Sequence, residues 1–156
     1  MPQTGITIIQ LAVSAFFAIL FLQSGIDKII DWKGNLQFHT EHFANSPLNK
    51  FSKPMLVVMT VMEVLCGLLS AVGMFLIIIT GQRTIAFYGV VLATIIFLSL
   101  FFGQRVSKDY KGAATIVSYL FLPSSGLFCY HEPTWKGERR GSNPRPLDPQ
   151  SSALTN

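Results

Sequence analysis

The chain has 156 residues, half of them hydrophobic, with 13% charged and a formal net charge of +4. An ordinary soluble domain carries roughly 25% charged residues; here the charges are sparse and gathered into islands between long apolar runs, at a mean hydropathy of +0.45, which places the chain in the membrane class. No basic stripe with interleaved aromatics is present, which sets nucleic acid aside as a partner, and Cys66 and Cys129 form no CxxC pair, which argues against a dithiol redox site.

A lipid-crossing helix needs about 20 mainly apolar residues, because the hydrocarbon is roughly 30 Å thick and each residue rises about 1.5 Å. The first run that qualifies covers about residues 6–30. It lacks a positive start and ends in charges rather than in a small-residue cleavage pattern, so it reads as a retained span and not a signal peptide. Its end, "FLQSGIDKIIDW", sets Ser24, Lys28 and Asp31 at i, i+4, i+7 on one helical face, with Lys28 and Asp31 within reach of each other. The plainer alternative is an ordinary helix end, where Lys28 snorkels to the headgroups and Trp32 anchors the interface.

The connection that follows, "GNLQFHTEHFANSPLNKFSKP", mixes Leu36, Phe38 and Phe43 with polar residues and breaks at Pro47, the pattern of a short interfacial helix. Within it "HTEH" places His39 and His42 three apart. Two such imidazoles on a helix suit a metal, but no further histidine or cysteine lies nearby and His131 belongs to the opposite membrane face, so no metal site is assigned.

The second run, about residues 55–80, carries one charge, Glu63, nine residues beyond Pro54 and thus roughly 13 Å deep. A carboxylate there is protonated, wetted or partnered. A few residues separate it from the third run, about 84–102, so the two are expected as antiparallel neighbours. The fourth, about 111–130, reaches crossing length only by continuing through Pro123 and "PSSG", which implies an interruption or kink. Thr115, Ser118 and Tyr119 share one face of it, with Ser118 and Tyr119 at the level of Glu63. These depths predict an intramembrane polar cluster of Lys28, Asp31, Glu63, Arg105, Asp109 and Tyr119; the alternative is a single buried hydrogen bond that fixes helix register. Ser14 and Ala18, Gly67 and Ala71, and Gly89 and Ala93 stand four apart, the spacing of close helix contact in lipid. Cys66 and Cys129 differ in depth by roughly 10 Å, too far to bridge.

The expected architecture is therefore an all-α, four-helix transmembrane bundle over residues 1–131, followed by a disordered, polar, Pro-containing tail over 132–156. Lys28, Lys33, Lys50, Lys53, Arg105, Lys108 and Lys111 fall in the first and third connections, against Arg83 alone in the second. Seven against one puts those two connections in the cytoplasm and both termini outside a cell inner (cytoplasmic) membrane.

"FLQSGIDKIIDW", "MEVLCGLLSAVG" and "GQRVSKDYKGAAT" together resemble the DoxX family of small four-span membrane proteins over about residues 10–122. Phe21, Gly25 and Lys28 fit its F-x-x-x-G-x-x-K pattern; Glu63 and Gly67 fit E-x-x-x-G. The resemblance implies an accessory subunit of a membrane redox system, with quinone as the possible cofactor and a larger membrane redox complex as the partner beside the lipid bilayer. It supplies no catalytic residue, and the chain shows no haem, flavin or iron–sulfur ligand set. Two other readings stay open: a non-enzymatic membrane scaffold, and a small proton- or cation-coupled transporter using Glu63. The tail "GSNPRPLDPQSSALTN" resembles a transfer-RNA gene read on its antisense strand. "ALTN" can be encoded by GCTCTAACCAAC, whose reverse complement resembles a D-arm, and "SNP" can be encoded by TCGAACCC, whose complement resembles a T-arm.

Overall fold

The computed structural model describes residues 2–130, with side chains from Thr4 onward. The disorder expected for 132–156, the antisense reading of the tail and the placement of His131 lie outside the described residues.

The described chain is helical, and four of its helices are long and apolar enough to cross a membrane. Helix α1 spans Pro2–Ile30. Its 29 residues reach about 43 Å at 1.5 Å each, more than the hydrocarbon alone requires. The chain then turns at Asp31, whose carboxylate accepts the Gly34 N–H at 3.1 Å and so starts a second, polar helix, α2 (Trp32–His42). This is the interfacial element expected between the first two spans. A loop and a short 3-10 turn (Asn49–Phe51) lead into α3 (Ser52–Thr80). Pro54 is tolerated because it lies in the first turn, where N–H groups have no intrahelical partner.

Gly81 ends α3 with φ 72°, the left-handed cap glycine adopts at least cost, and its N–H bonds the Ile77 carbonyl at 3.1 Å. After that tight turn α4 runs over Thr84–Val106. Asp109 then repeats the device of Asp31, accepting the Gly112 N–H at 2.9 Å to start α5 (Tyr110–Tyr130). Pro123 lies inside α5, which continues through it as one helix, so the expected interruption is absent. The hydroxyl of Ser124 donates to the Leu120 carbonyl at 2.8 Å beside that position.

Helix α1 packs chiefly on α3, α3 on α4 and α4 on α5, with a smaller α1–α5 contact closing the ring. Phe17 and Phe21 of α1 meet Phe97 of α4 across the centre, with ring centroids 6.4 and 5.5 Å apart. Small residues bring the backbones together: a Cβ on Gly67 would lie 2.8 Å from the Leu22 nitrogen, and one on Gly73 2.5 Å from the Ala86 nitrogen. Ile8, Ile19, Ile78, Phe121 and Phe128 point outward and are exposed. A belt of such side chains around four long apolar helices is the surface of a multi-pass membrane protein in contact with lipid.

Candidate functional site

Lys28 sits in the last turn of α1, and Ser24 lies one turn before it on the same face. Glu63 projects from α3, which is the main partner of α1. The three side chains meet. Lys28 Nζ is 2.8 Å from Glu63 Oε2 and 3.1 Å from Oε1, and it donates to Ser24 Oγ at 2.7 Å. Ser24 Oγ in turn donates to Glu63 Oε2 at 3.2 Å. The Glu63 side chain is 4% exposed and that of Lys28 17%, so this is an ion pair withdrawn from solvent. An unmatched charge at that depth is costly; an ammonium and a hydroxyl on the carboxylate offset its desolvation.

The other four residues of the expected cluster lie elsewhere. Asp31 and Asp109 use their carboxylates to start α2 and α5. Arg105 lies over the Tyr110 ring at 5.0 Å. Tyr119 stacks on Phe97 with centroids 6.1 Å apart and is 43% exposed. Thr115 bonds its own helix at the Lys111 carbonyl, and it and Ser118 face outward. Depth matched for Ser118 and Tyr119, but α5 packs on α4 and α1, which turns this face of α5 away from Glu63.

The ion pair forms part of the wall of a cavity of about 710 Å³. Small-molecule sites commonly measure about 300–1,000 Å³. Lys28, Ser24, Glu63, Asn35 and Gln104 supply polar lining, while Met55, Met59, Leu98 and Phe102 supply apolar lining. Leu98 and Phe102 are exposed, so the cavity adjoins the lipid-facing flank of α4. Helix α2 lines one side of it and is fastened to α4 through His42 Nε2, which is 2.9 Å from Gln104 Oε1 and 3.1 Å from Ser107 Oγ. His39, on the same helix, also lines the cavity. Burial, reinforced by the positive charge of Lys28 and by His42, lowers its pKa below the usual 6.5 and favours the neutral imidazole.

A second polar group lies at the opposite end of the bundle, and the sequence reading did not single it out. Gln10 is fully buried and donates from Nε2 to the Cys129 carbonyl at 3.0 Å. Ser14 Oγ and the Tyr130 hydroxyl are 2.9 Å apart. Gln10 and Ser14 stand four apart in an apolar run, the same signal that marks Ser24 and Lys28. Asn35 and Gln104 were also missed; each sits in a stretch read as a connection or helix end, where polar residues carry no signal. Cys66 is buried in the middle of the bundle, its thiol 3.3 Å from the Gly89 carbonyl, while Cys129 lies at the far end. No family model, no curated protein and no solved structure matches the chain, so the interpretation of the cavity rests on its own geometry and on the motifs above.

Proposed function

We propose that the protein is a DoxX-like accessory subunit of a quinone-linked redox system in the cell inner membrane and that its cavity holds the ring of a quinone-class molecule. The observation that carries this reading is the cavity itself: about 710 Å³, apolar toward lipid and polar at one wall, the division an amphipathic ring with a hydrocarbon tail requires. Ser24, Glu63, Gln104 and Asn35 would meet the ring oxygens, and Met55, Met59, Leu98 and Phe102 the ring faces and tail. A bound quinone supplies two-electron, two-proton chemistry; the chain supplies binding, orientation and a dry charged wall. The Lys28–Glu63 pair weighs against the carrier alternative, because a carboxylate already matched by an ammonium attracts a second cation weakly. The excess of Lys and Arg in the first and third connections supports the orientation with the α2 end and its cavity toward the cytoplasm.

The test is purification of the full chain from its native membrane in mild detergent, followed by extraction of bound lipids and identification of attached proteins. A quinone near one per chain, lost in the Lys28→Met, Glu63→Leu double variant, is the expected result. A preparation with neither quinone nor a redox protein attached overturns the proposal. An attached complex that persists with an empty cavity points to a scaffold instead.

A further inference from the structure

We infer that the cavity selects the reduced, hydroxyl-bearing form of its ring ligand over the oxidised, carbonyl form. The inference rests on the ligand reading above and comes from how the hydrogen-bonding capacity of the charged wall is already distributed. A lysine ammonium has three N–H donors and no acceptor, and a carboxylate accepts only, at about four positions. Lys28 Nζ faces three acceptors: Ser24 Oγ at 2.7 Å, Glu63 Oε2 at 2.8 Å and Glu63 Oε1 at 3.1 Å. Its donors are committed. Ser24 commits its own proton to Glu63 Oε2 at 3.2 Å. Oε2 therefore accepts from both Lys28 and Ser24, while Oε1 accepts from Lys28 alone. The wall retains acceptor capacity on Glu63 and has no proton left to offer.

The surrounding groups leave that preference intact. Asn35 Nδ2 gives one of its two N–H groups to the Asp31 carbonyl at 2.8 Å, which leaves one N–H and the amide oxygen, so Asn35 does not discriminate. Gln104 Oε1 is used on His42, which leaves an amide donor. His39 and His42 donate or accept according to tautomer and so do not discriminate. A ring hydroxyl both donates and accepts, so the reduced ligand suits Glu63, Asn35 and Gln104 alike. A ring carbonyl finds donors only on the neutral amides and imidazoles and sets its lone pairs against the carboxylate of Glu63. A hydroxyl donating to an ionised carboxylate is among the stronger hydrogen bonds, so the reduced form should bind about tenfold tighter or more. A tenfold preference raises the midpoint potential of the bound two-electron couple by about 30 mV.

The experiment uses the full chain in lipid nanodiscs and a decyl-chain benzoquinone with its hydroquinone, the latter kept anaerobic, with both affinities measured by calorimetry. Wild type should bind the hydroquinone about tenfold tighter. Glu63→Gln, whose amide offers a donor, should bring the ratio close to one. Ser24→Ala, which keeps the ion pair but frees the Lys28 N–H that Ser24 Oγ accepts, gives the wall a proton for a ring carbonyl and should narrow the ratio. Equal affinities in wild type, or tighter quinone binding, would overturn the selectivity and leave the ligand reading standing. If neither form binds, both fall. Should Glu63→Gln fail to fold, the wild-type ratio and the Ser24→Ala ratio decide the matter.

Discussion

The two ends of the bundle solve the same problem in different ways. Each has polar side chains on α1 that reach another span, where hydrocarbon offers them no partner. At the α2 end the groups are charged: Lys28 of α1 meets Glu63 of α3, and a cavity opens beside them. At the far end they are neutral: Gln10 and Ser14 of α1 bond the last residues of α5 at Cys129 and Tyr130, away from the cavity lining. The far end uses its polar groups to clasp two helices. The α2 end leaves a carboxylate with spare acceptor capacity facing an open volume. Polar residues in a span thus mark either a fastening or a place for something else, and the adjacent space distinguishes them.

The largest effect should come from unbalancing the charged end. Lys28→Met leaves Glu63 buried with only Ser24 on it, and breaking a buried pair from one side costs about 3–5 kcal/mol. Replacing both partners, as Lys28→Met with Glu63→Leu, should recover most of that loss, because the desolvation cost disappears with the charges. Tyr130→Phe at the far end removes a neutral hydroxyl that lies 2.9 Å from Ser14 Oγ and 3.4 Å from the Gln10 carbonyl, and should cost about 1 kcal/mol. Unfolding in mixed micelles with rising sodium dodecyl sulfate measures all three. If Lys28→Met and Tyr130→Phe cost the same, the ion pair is no more than another clasp.

Packing should sharpen the contrast at a smaller scale. Gly73, toward the far end of α3, lies against backbone: an added Cβ meets Ala86 Cα and N at 2.5 Å. Backbone cannot yield without the helices separating, so Gly73→Ala should destabilise by about 1–3 kcal/mol. Gly103 lines the cavity, and its added Cβ meets only the Phe43 ring, at 3.5 Å. Gly103→Ala should be neutral or gain up to about 1 kcal/mol from helix propensity. The same micellar unfolding series reads both; an equal loss at the two positions would deny the cavity end its slack.

What the sequence made legible follows the same division. Spans were readable because crossing length and apolarity are properties of a single segment, as was the position of Glu63 along its helix. Lys28 and Ser24 were found through helical periodicity, and periodicity also fixed the levels of Ser118 and Tyr119. What periodicity does not fix is which face of one helix meets which face of another. The order α1–α3–α4–α5 turns Tyr119 toward Phe97 and lipid, and no feature within α5 alone dictates that. Asp31 and Asp109 illustrate a second ambiguity. An aspartate next to a helix is as suited to capping the next helix as to pairing with a cation, and here both cap.

The smallest expected effect concerns the α2 side of the cavity, where His39 gives this end a pH response of its own. Burial first, then Lys28 and His42, hold its pKa below the ordinary 6.5. Between the lowered folded value and 6.5 the unfolded or undocked state binds more protons than the docked one, so docking strengthens as pH rises through that window. The contribution of neutral His39 is complete above about 6.5 and is lost as pH falls toward and through the folded value. Hydrogen exchange over residues 32–42, corrected for intrinsic rates, should therefore quicken a few-fold between pH 7.5 and pH 5.5 relative to the amides around Tyr130. His39→Gln, which cannot titrate, should flatten the difference. A pH response that survives in that variant, or that appears equally at both ends, would assign it to some other group. Acid-dependent loosening confined to α2 and abolished by His39→Gln would make this imidazole the group that ties access to the Glu63 wall to the proton concentration outside the bundle.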